Sequence, residues 1–411
     1  MPNSPSSFAI YTKPITRVEV VDPHTLRLHT NGPYPLLPTD LARFVVLSRK
    51  NGTDATTADY NSGKAAIGSG PYKLVEHRMG DRIRFERNPY WTGPQPDFAQ
   101  VDYRMMLNDA SRTTALLAGD VDAIDQVPTS DIRRLKAESG VTLSEIASLR
   151  LIFLSLDDSR TEATPFVTDN DGKPISPNPL KDVRVRRALS IAIDRNGIVE
   201  RVMEGAATPS GQFLGEGAFG YVPGLNPPTY DVAAARRLLA EAGFPNGFRV
   251  TLHGTNDRYT NDARILQAIG QMWMRAGVKT AVEALPYASY VGRANKQEFS
   301  AFMFGWGISS GEASNPLRNL VSTFNRDLGY GASNRGRYSN PAVDRLVGAA
   351  MTELDEGKRE ATMQQATRLV FDDVAIIPLH LQKNIWALRR GLKHDARADE
   401  YTRGQDFYIA R

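Results

Sequence analysis

One stretch constrains the fold more than any other: between Phe248 and Gly305 the chain alternates strand and helix patterns at short intervals. Phe248, Val250 and Leu252 alternate as in a strand, and Asn261–Ala276 then sets Ile265, Ile269, Met272 and Ala276 on one helical face before Gly277. Val278–Ala284 reads as a strand, Tyr287–Gln297 as a helix and Phe299–Gly305 as a strand. A β-α-β-α-β series with short connections predicts an α/β lobe whose helices cover a largely parallel sheet. Upstream, Asp182 can cap a helix running to about Met203. Asp231 can cap another, with Leu238, Leu239 and Ala242 on one face and Gly243 as its stop. Leu149–Leu156 is nearly all apolar, which suits a strand buried on both faces, and the polar, Pro-containing run Asp157–Pro179 reads as a loop or linker. After the series come a polar loop (Ser309–Tyr338), helices over Pro341–Leu354 and Glu356–Phe371, and a strand-like run from Val374–Leu381 into Ile385–Leu388. The first part is plainer. It holds a hairpin of Val18–Val21 and Leu26–Leu28 about Asp22-Pro23-His24, a polar stretch Gly52–Gly70, strands at Tyr72–Glu76 and Arg82–Glu86, and a helix Asp109–Ala118 ended by Gly119.

At 411 residues the chain exceeds what one core usually serves, so two lobes are expected. Composition then removes several functions. Fifty basic against 46 acidic side chains leave a net charge of +4, without the basic stripe of a nucleic-acid binder. The clusters Arg184-Arg186-Arg187 and Arg389-Arg390 read as solvated edges of helices or strands. There is no cysteine, hence no disulfide, thiolate metal site or cysteine nucleophile. No apolar run approaches the ~18 residues needed to span a bilayer, and Met-Pro-Asn-Ser-Pro-Ser-Ser lacks the regions of a signal peptide. Gly-x-Ser-x-Gly, a phosphate loop, Gly-x-Gly-x-x-Gly and His-Glu-x-x-His are all missing. None of the six histidines is spaced as a metal pair on one helix, and the carboxylate pairs Asp157-Asp158 and Asp372-Asp373 are adjacent, so their side chains diverge. No enzyme, cofactor or resident metal is expected.

Two loops remain as binding candidates. The first is Gly305-Trp306-Gly307-Ile308-Ser309-Ser310-Gly311-Glu312, where a buried strand ends and a small polar loop opens towards Asn315 and Arg318. Glycines let a ligand approach backbone, and Trp306 offers a flat apolar wall with one donor. The second is Asn256-Asp257-Arg258-Tyr259, after a strand and before a helix of the same unit, where Arg258 could hold a carboxylate. The plainer alternatives stay open: Trp306 as a core residue at the lobe edge, and Arg258 as a surface arginine paired with Asp257 or Asp262.

The order of several short motifs resembles the family 5 bacterial extracellular solute-binding proteins. They are Gly68-Ser69-Gly70-Pro71-Tyr72, Arg87-Asn88-Pro89-Tyr90, Ala118-Gly119-Asp120-Val121-Asp122, Asp182-Val183-Arg184-Val185-Arg186-Arg187-Ala188-Leu189 with Ala192-Ile193-Asp194-Arg195, and Asp231 through Ala242-Gly243. The resemblance implies a two-lobed, periplasmic-binding-protein-like fold (type II, cluster C-like) with an extra subdomain on lobe 1. The family serves ABC importers and takes peptides, nickel chelates, glutathione, opines and some sugars. A periplasmic monomer is implied, handing a peptide-like or carboxylated solute to membrane permease subunits, with a nickel chelate or other non-peptide solute as the alternative within the family. A hydrolase on a similar frame is the rival from another class. The expected division is 1–67 as a remnant of the extra subdomain, 68–150 as lobe 1, 151–378 as lobe 2 and 379–411 as the return, with hinges near Leu149–Ser155 and Ile376–Leu381. The family's "LrdgvkFhdGtpltaeDV" segment is missing, so lobe 1 is expected to be incomplete, as in a chain truncated at its N-terminus and carrying no signal peptide. The implied solute contacts are Asn256, Arg258, Tyr259, Trp306, Gly307, Ser309, Ser310 and Asn315. Dipeptide binders place an aspartate near the position of Ser309, with Glu312 the next acid along, so a free dipeptide is disfavoured unless Glu312 substitutes.

Overall fold

The computed structural model describes residues 9–42, 44–308 and 310–410. The chain divides into two compact units, one of Met1–Arg43 with Leu149–Gln382, the other of Phe44–Ser148 with Lys383–Arg411. Two long strands, Val141–Leu156 and Ile376–Arg389, carry the chain from one unit into the other.

The larger unit is built on a mixed sheet in the order Lys279–Leu285, Arg249–Thr255, Ala301–Gly307, Val141–Leu156, Ile376–Arg389. The first three strands run parallel, in register Leu252 with Val282 and with Ala301. Val141–Leu156 runs antiparallel to Ala301–Gly307, pairing Phe304 with Phe153 and Gly307 with Arg150. The expectation of a largely parallel sheet therefore holds for the β-α-β-α-β series alone; the flanking strands arrive from distant segments without a crossover helix. Helices Asp262–Arg275, Val183–Ile191 and Val232–Glu241 bury Ile265, Ile269, Leu189 and Leu239 in a core with Val250, Leu252 and Met303. Helices Tyr287–Asn295, Pro341–Ala350 and Glu356–Asp372 bury Tyr290, Val347 and Met363 in a second core with Phe302 and Phe304.

Local chemistry explains the boundaries. Asp182 Oδ1 accepts from the Arg184 N–H and Asp231 Oδ1 from the Ala234 N–H, both at 2.8 Å, so both aspartates cap as expected. The helix from Asp182 stops at Ile191 instead of reaching Met203. Asp194 turns back to accept from the Gly197 N–H at 2.8 Å, which starts a separate short turn. Arg186 is buried, contrary to the solvated edge expected of its cluster: its guanidinium donates to the Leu180, Lys181 and Asp373 carbonyls. Arg195 is buried too and donates to Pro378 O at 2.7 Å and Ser190 O at 2.9 Å. These arginines fasten helix ends to the strand that follows, which gives their motif a structural role.

The hairpin Ile15–Asp22/Thr25–Thr30 forms about its Pro-His turn. Its segment groups with the larger unit, a different division from the 1–67 piece drawn from composition. Within that unit a buried ion pair joins Asp40 to Arg318, whose nitrogens lie 3.3–3.5 Å from the carboxylate, with the Tyr34 hydroxyl donating to Asp40 and accepting from Arg318 at 3.1 Å. Arg318 belongs to a helical turn, Ser314–Pro316 running into Leu317–Val321, inside the stretch expected to be loop.

The smaller unit holds an antiparallel sheet of Tyr72–Arg78, Arg82–Arg87 and Gln100–Arg104, with helices Asp109–Ala118 and Thr129–Ala137. Its two short motifs meet through Asn88, whose amide donates to Gly70 O at 2.8 Å while its oxygen accepts from the Tyr90 N–H at 3.1 Å. Among the described residues no helix is long and apolar enough to cross a membrane.

Candidate functional site

Two adjacent parallel strands, Arg249–Thr255 and Ala301–Gly307, end at the same edge of the larger unit's sheet, and both candidate loops leave from there. Ligands of α/β folds gather at such carboxyl ends. The first loop is shaped by Asp262. Its Oδ2 accepts from Thr255 Oγ1 at 2.6 Å and from the N–H groups of Arg258 and Tyr259 at 3.1 Å, and its Oδ1 accepts from the Ala263 N–H at 2.8 Å. The carboxylate is thereby saturated and buried, and the loop backbone is fixed around it.

Tyr259 is buried beneath this loop and its hydroxyl donates to Gly305 O at 3.2 Å, joining the two strand ends directly. Burial pushes that hydroxyl above the ordinary tyrosine range. The fit depends on Gly305: a Cβ there would lie 2.5 Å from Tyr259 Cε1 and 2.8 Å from Ile152 Cδ1. The Arg258 guanidinium is exposed and stacks on two rings, 5.3 Å from the Tyr259 centroid and 5.6 Å from that of Tyr287. It forms no ion pair with Asp257 or Asp262 among the described residues. Asp257 instead accepts from the Tyr287 N–H at 2.8 Å, at the start of the next helix. Asn256 is exposed, with its backbone N–H on Leu285 O at 3.1 Å.

On the second loop, Trp306 and Gly307 still belong to the strand. Trp306 is partly buried against the second core, and its Nε1 donates to Asn315 Oδ1 at 2.7 Å. Asn315 is only 1% exposed and also accepts from Asn319 Nδ2 through its carbonyl at 2.8 Å. Its amide oxygen holds the indole in place. Ser310 donates to Glu312 O at 3.5 Å. Ser309 lies outside the described residues. Glu312 does not substitute for the acid of dipeptide binders: it is buried, 3.2 Å from Arg359 Nη1, and accepts from Ser314 Oγ.

Three contributors escaped the sequence reading. Arg150 places its guanidinium 5.9 Å from the Tyr259 ring centroid and against Gly307, where a Cβ would lie 3.4 Å from Nη2. It is the lone charge in the nearly apolar run Leu149–Leu156, and that was its signal. Tyr287 follows the third parallel strand, so the same strand-end rule points to it. Arg335 stacks on Phe304 at 4.2 Å and donates to Asn295 Oδ1 at 2.8 Å; burial lowers the pKa of its guanidinium. No signal marked it. The edge therefore combines an aromatic floor with guanidinium groups. Among the described residues no group of three or more His, Asp or Glu side chains could hold a metal ion.

The family model described as bacterial extracellular solute-binding proteins, family 5 Middle, matches residues 1–327. Heme-binding protein A of Haemophilus influenzae is 28% identical over 380 residues, covering 88% of this chain and 64% of its own length. The dipeptide-binding protein of Escherichia coli is 25% identical over 375 residues, covering 89% and 66%. The structure of HbpA2 from Haemophilus parasuis superposes with a TM-score of 0.77 at 24% identity, covering 97% of this chain and 76% of that one. The chain thus spans about two thirds of the length of the curated relatives it matches.

Proposed function

This chain belongs to the bacterial extracellular solute-binding proteins, family 5, and from that premise we propose that it is the solute-capturing receptor of an ABC importer, working outside the cytoplasmic membrane and delivering its cargo to permease subunits. The relatives it matches are named as binding proteins, and its fold is that of periplasmic binding proteins. The reading is one of binding without a bond-making step, and it is supported by the carboxylates Asp262 and Glu312, which are saturated by internal partners.

The observation that carries this reading is the bond from the Tyr259 hydroxyl to Gly305 O. It makes one platform of two loops. Trp306 and Gly307 supply a flat wall and an open stretch of backbone, Arg258 an exposed cation, and Asn256 and Ser310 polar groups at the rim. Ser309 is a further proposed contact, from its place in the sequence alone. A small peptide-like or carboxylated solute fits that set. Titration calorimetry on the purified chain tests it, using the solute that most raises its melting temperature in a screen of peptides, glutathione, opines and nickel chelates. Arg258→Ala and Trp306→Ala should each weaken binding by about tenfold or more. Full affinity in both variants rejects the assignment.

A further inference from the structure

Resting on the reading of Trp306 as a wall of the solute site, we propose that Glu312 and Arg359 are positioning residues for that wall. They form a buried ion pair that touches no solute and fixes the orientation of the indole through Asn315.

The indole has one polar atom, and it has one acceptor: Trp306 Nε1 donates to Asn315 Oδ1 at 2.7 Å. Trp306 is only partly buried, so packing constrains the ring less than in a core, and this bond sets which way its face turns. The placement of Asn315 therefore decides the placement of the wall. Asn315 is 1% exposed and stands in the short turn Ser314–Pro316, which begins after Ala313, a residue with no side chain able to cap it. Glu312 holds the turn instead. Its carbonyl accepts from the Asn315 N–H at 3.4 Å, and its carboxylate accepts from Ser314 Oγ.

Glu312 is itself fixed from outside its loop. Both of its carboxylate oxygens lie 3.2 Å from Arg359 Nη1, on helix Glu356–Asp372. Its backbone bridges to Phe219, whose carbonyl accepts from the Ala313 N–H at 3.0 Å, and the Arg359 guanidinium stacks on the Phe219 ring at 4.4 Å. Gly220 follows at a φ of +87°, so close that a Cβ there would lie 2.7 Å from Ala313 Cβ, and its N–H donates to Glu360 Oε1 at 2.9 Å. Through Arg359 and Glu360 one helix pins two loops together just ahead of the Asn315 turn.

Stability alone does not account for an ion pair at this joint. Glu312 and Arg359 are 7% and 8% exposed, and desolvation of both charges offsets most of their attraction, so an apolar pair of similar volume would hold helix to loop about as well. An apolar pair lacks direction. Donors from Arg359 and Ser314 converge on one carboxylate and fix where the turn begins. The contribution is geometric, and the group at the far end of that geometry is the Trp306 indole.

The test reads the folded protein well below its melting temperature. The variant Glu312→Leu/Arg359→Met leaves no buried charge alone and should fold. In it the Trp306 indole N–H resonance of the solute-free protein should shift or broaden, and affinity for the solute found by the thermal screen should fall by about fivefold or more. Glu312→Gln, which keeps the volume and an acceptor, gives the same readouts in milder form should the apolar pair not fold. Arg359→Lys keeps the cation and should retain most of both properties. Asn315→Leu cuts the last link and should reproduce the loss; combined with the apolar pair it should add little, because all three residues act through one bond. A role in packing alone would lower the melting temperature and move neither readout, and that result overturns the proposal. So does a loss that adds in full to that of Asn315→Leu. The resonance needs no solute, so the two layers separate. Unchanged binding in Trp306→Ala rejects the wall, whereas a Trp306 signal indifferent to the ion pair rejects the positioning and leaves the receptor reading standing.

Discussion

Replacing Asp40 with alanine should be among the most damaging single changes in the larger unit. Arg318 is 2% exposed, and its guanidinium has two kinds of partner: the Asp40 carboxylate at 3.3–3.5 Å and the Tyr34 hydroxyl at 3.1 Å. Its Nε has no acceptor among the described residues. Without Asp40 the cation stays buried with one neutral acceptor, a situation that costs about 3–5 kcal/mol. The ion pair itself is a weaker contributor, because desolvation of two charges offsets most of their attraction. The double change Asp40→Leu/Arg318→Met removes both charges and should cost about 1 kcal/mol or less. Hydrogen exchange at the amides of Leu317–Val321 reads the opening free energy locally, and the double-mutant cycle isolates the pair. The same turn carries Asn315, so Asp40→Ala should also loosen Trp306 and dim any fluorescence response to solute. A single mutant that costs under 1 kcal/mol, or a double mutant no better than the single, refutes the buried-cation reasoning.

Other outcomes follow from the same packing. His380 is fully buried with no hydrogen-bond partner among the described residues, and burial lowers its pKa to about 3. The folded state therefore refuses a proton that the unfolded chain accepts below about 6.5, so stability is intact above that pH and falls by about 1.4 kcal/mol per unit between there and about 3. Urea denaturation across that range should show a shallower decline in His380→Leu. Gly305→Ala should cost about 1–3 kcal/mol by melting-temperature shift, since its methyl would overlap the Tyr259 ring, and solute binding should fall with it. Trp273→Phe should cost about 2 kcal/mol in the same assay, because the buried indole donates to Leu189 O at 2.9 Å and that carbonyl is left unsatisfied.

How far the sequence could be read depended on whether the deciding contacts were local. Asp231, Asp182 and Gly243 announce helix ends because a cap bonds its own turn, and the strand-helix alternation from Phe248 onward is visible for the same reason. The early stop at Ile191 was also local, written in Asp194, but apolar periodicity through the next turn concealed it. Nothing local marks the Asp40–Arg318 pair, whose members are 278 residues apart, or the capture of Glu312 by Arg359. The candidate site shows the same split. Tyr259, Trp306 and Arg258 stand at strand ends that pattern alone predicts. That Arg150 flanks Tyr259 is a consequence of sheet order, and that Asn315 faces the indole depends on how the chain turns after Gly307; periodicity specifies neither.

The central claim, that solute binds on the platform tied together by Tyr259 and Gly305, is tested most directly by the indole N–H resonances of the four tryptophans during a solute titration. The signal of Trp306, identified by its loss in Trp306→Phe, should shift saturably, while that of Trp273, buried with its N–H on Leu189 O, stays in place. A saturable titration that leaves Trp306 unmoved and shifts only Trp91, which lines a separate cavity of about 320 Å³ with Pro96 and Phe407, would contradict it.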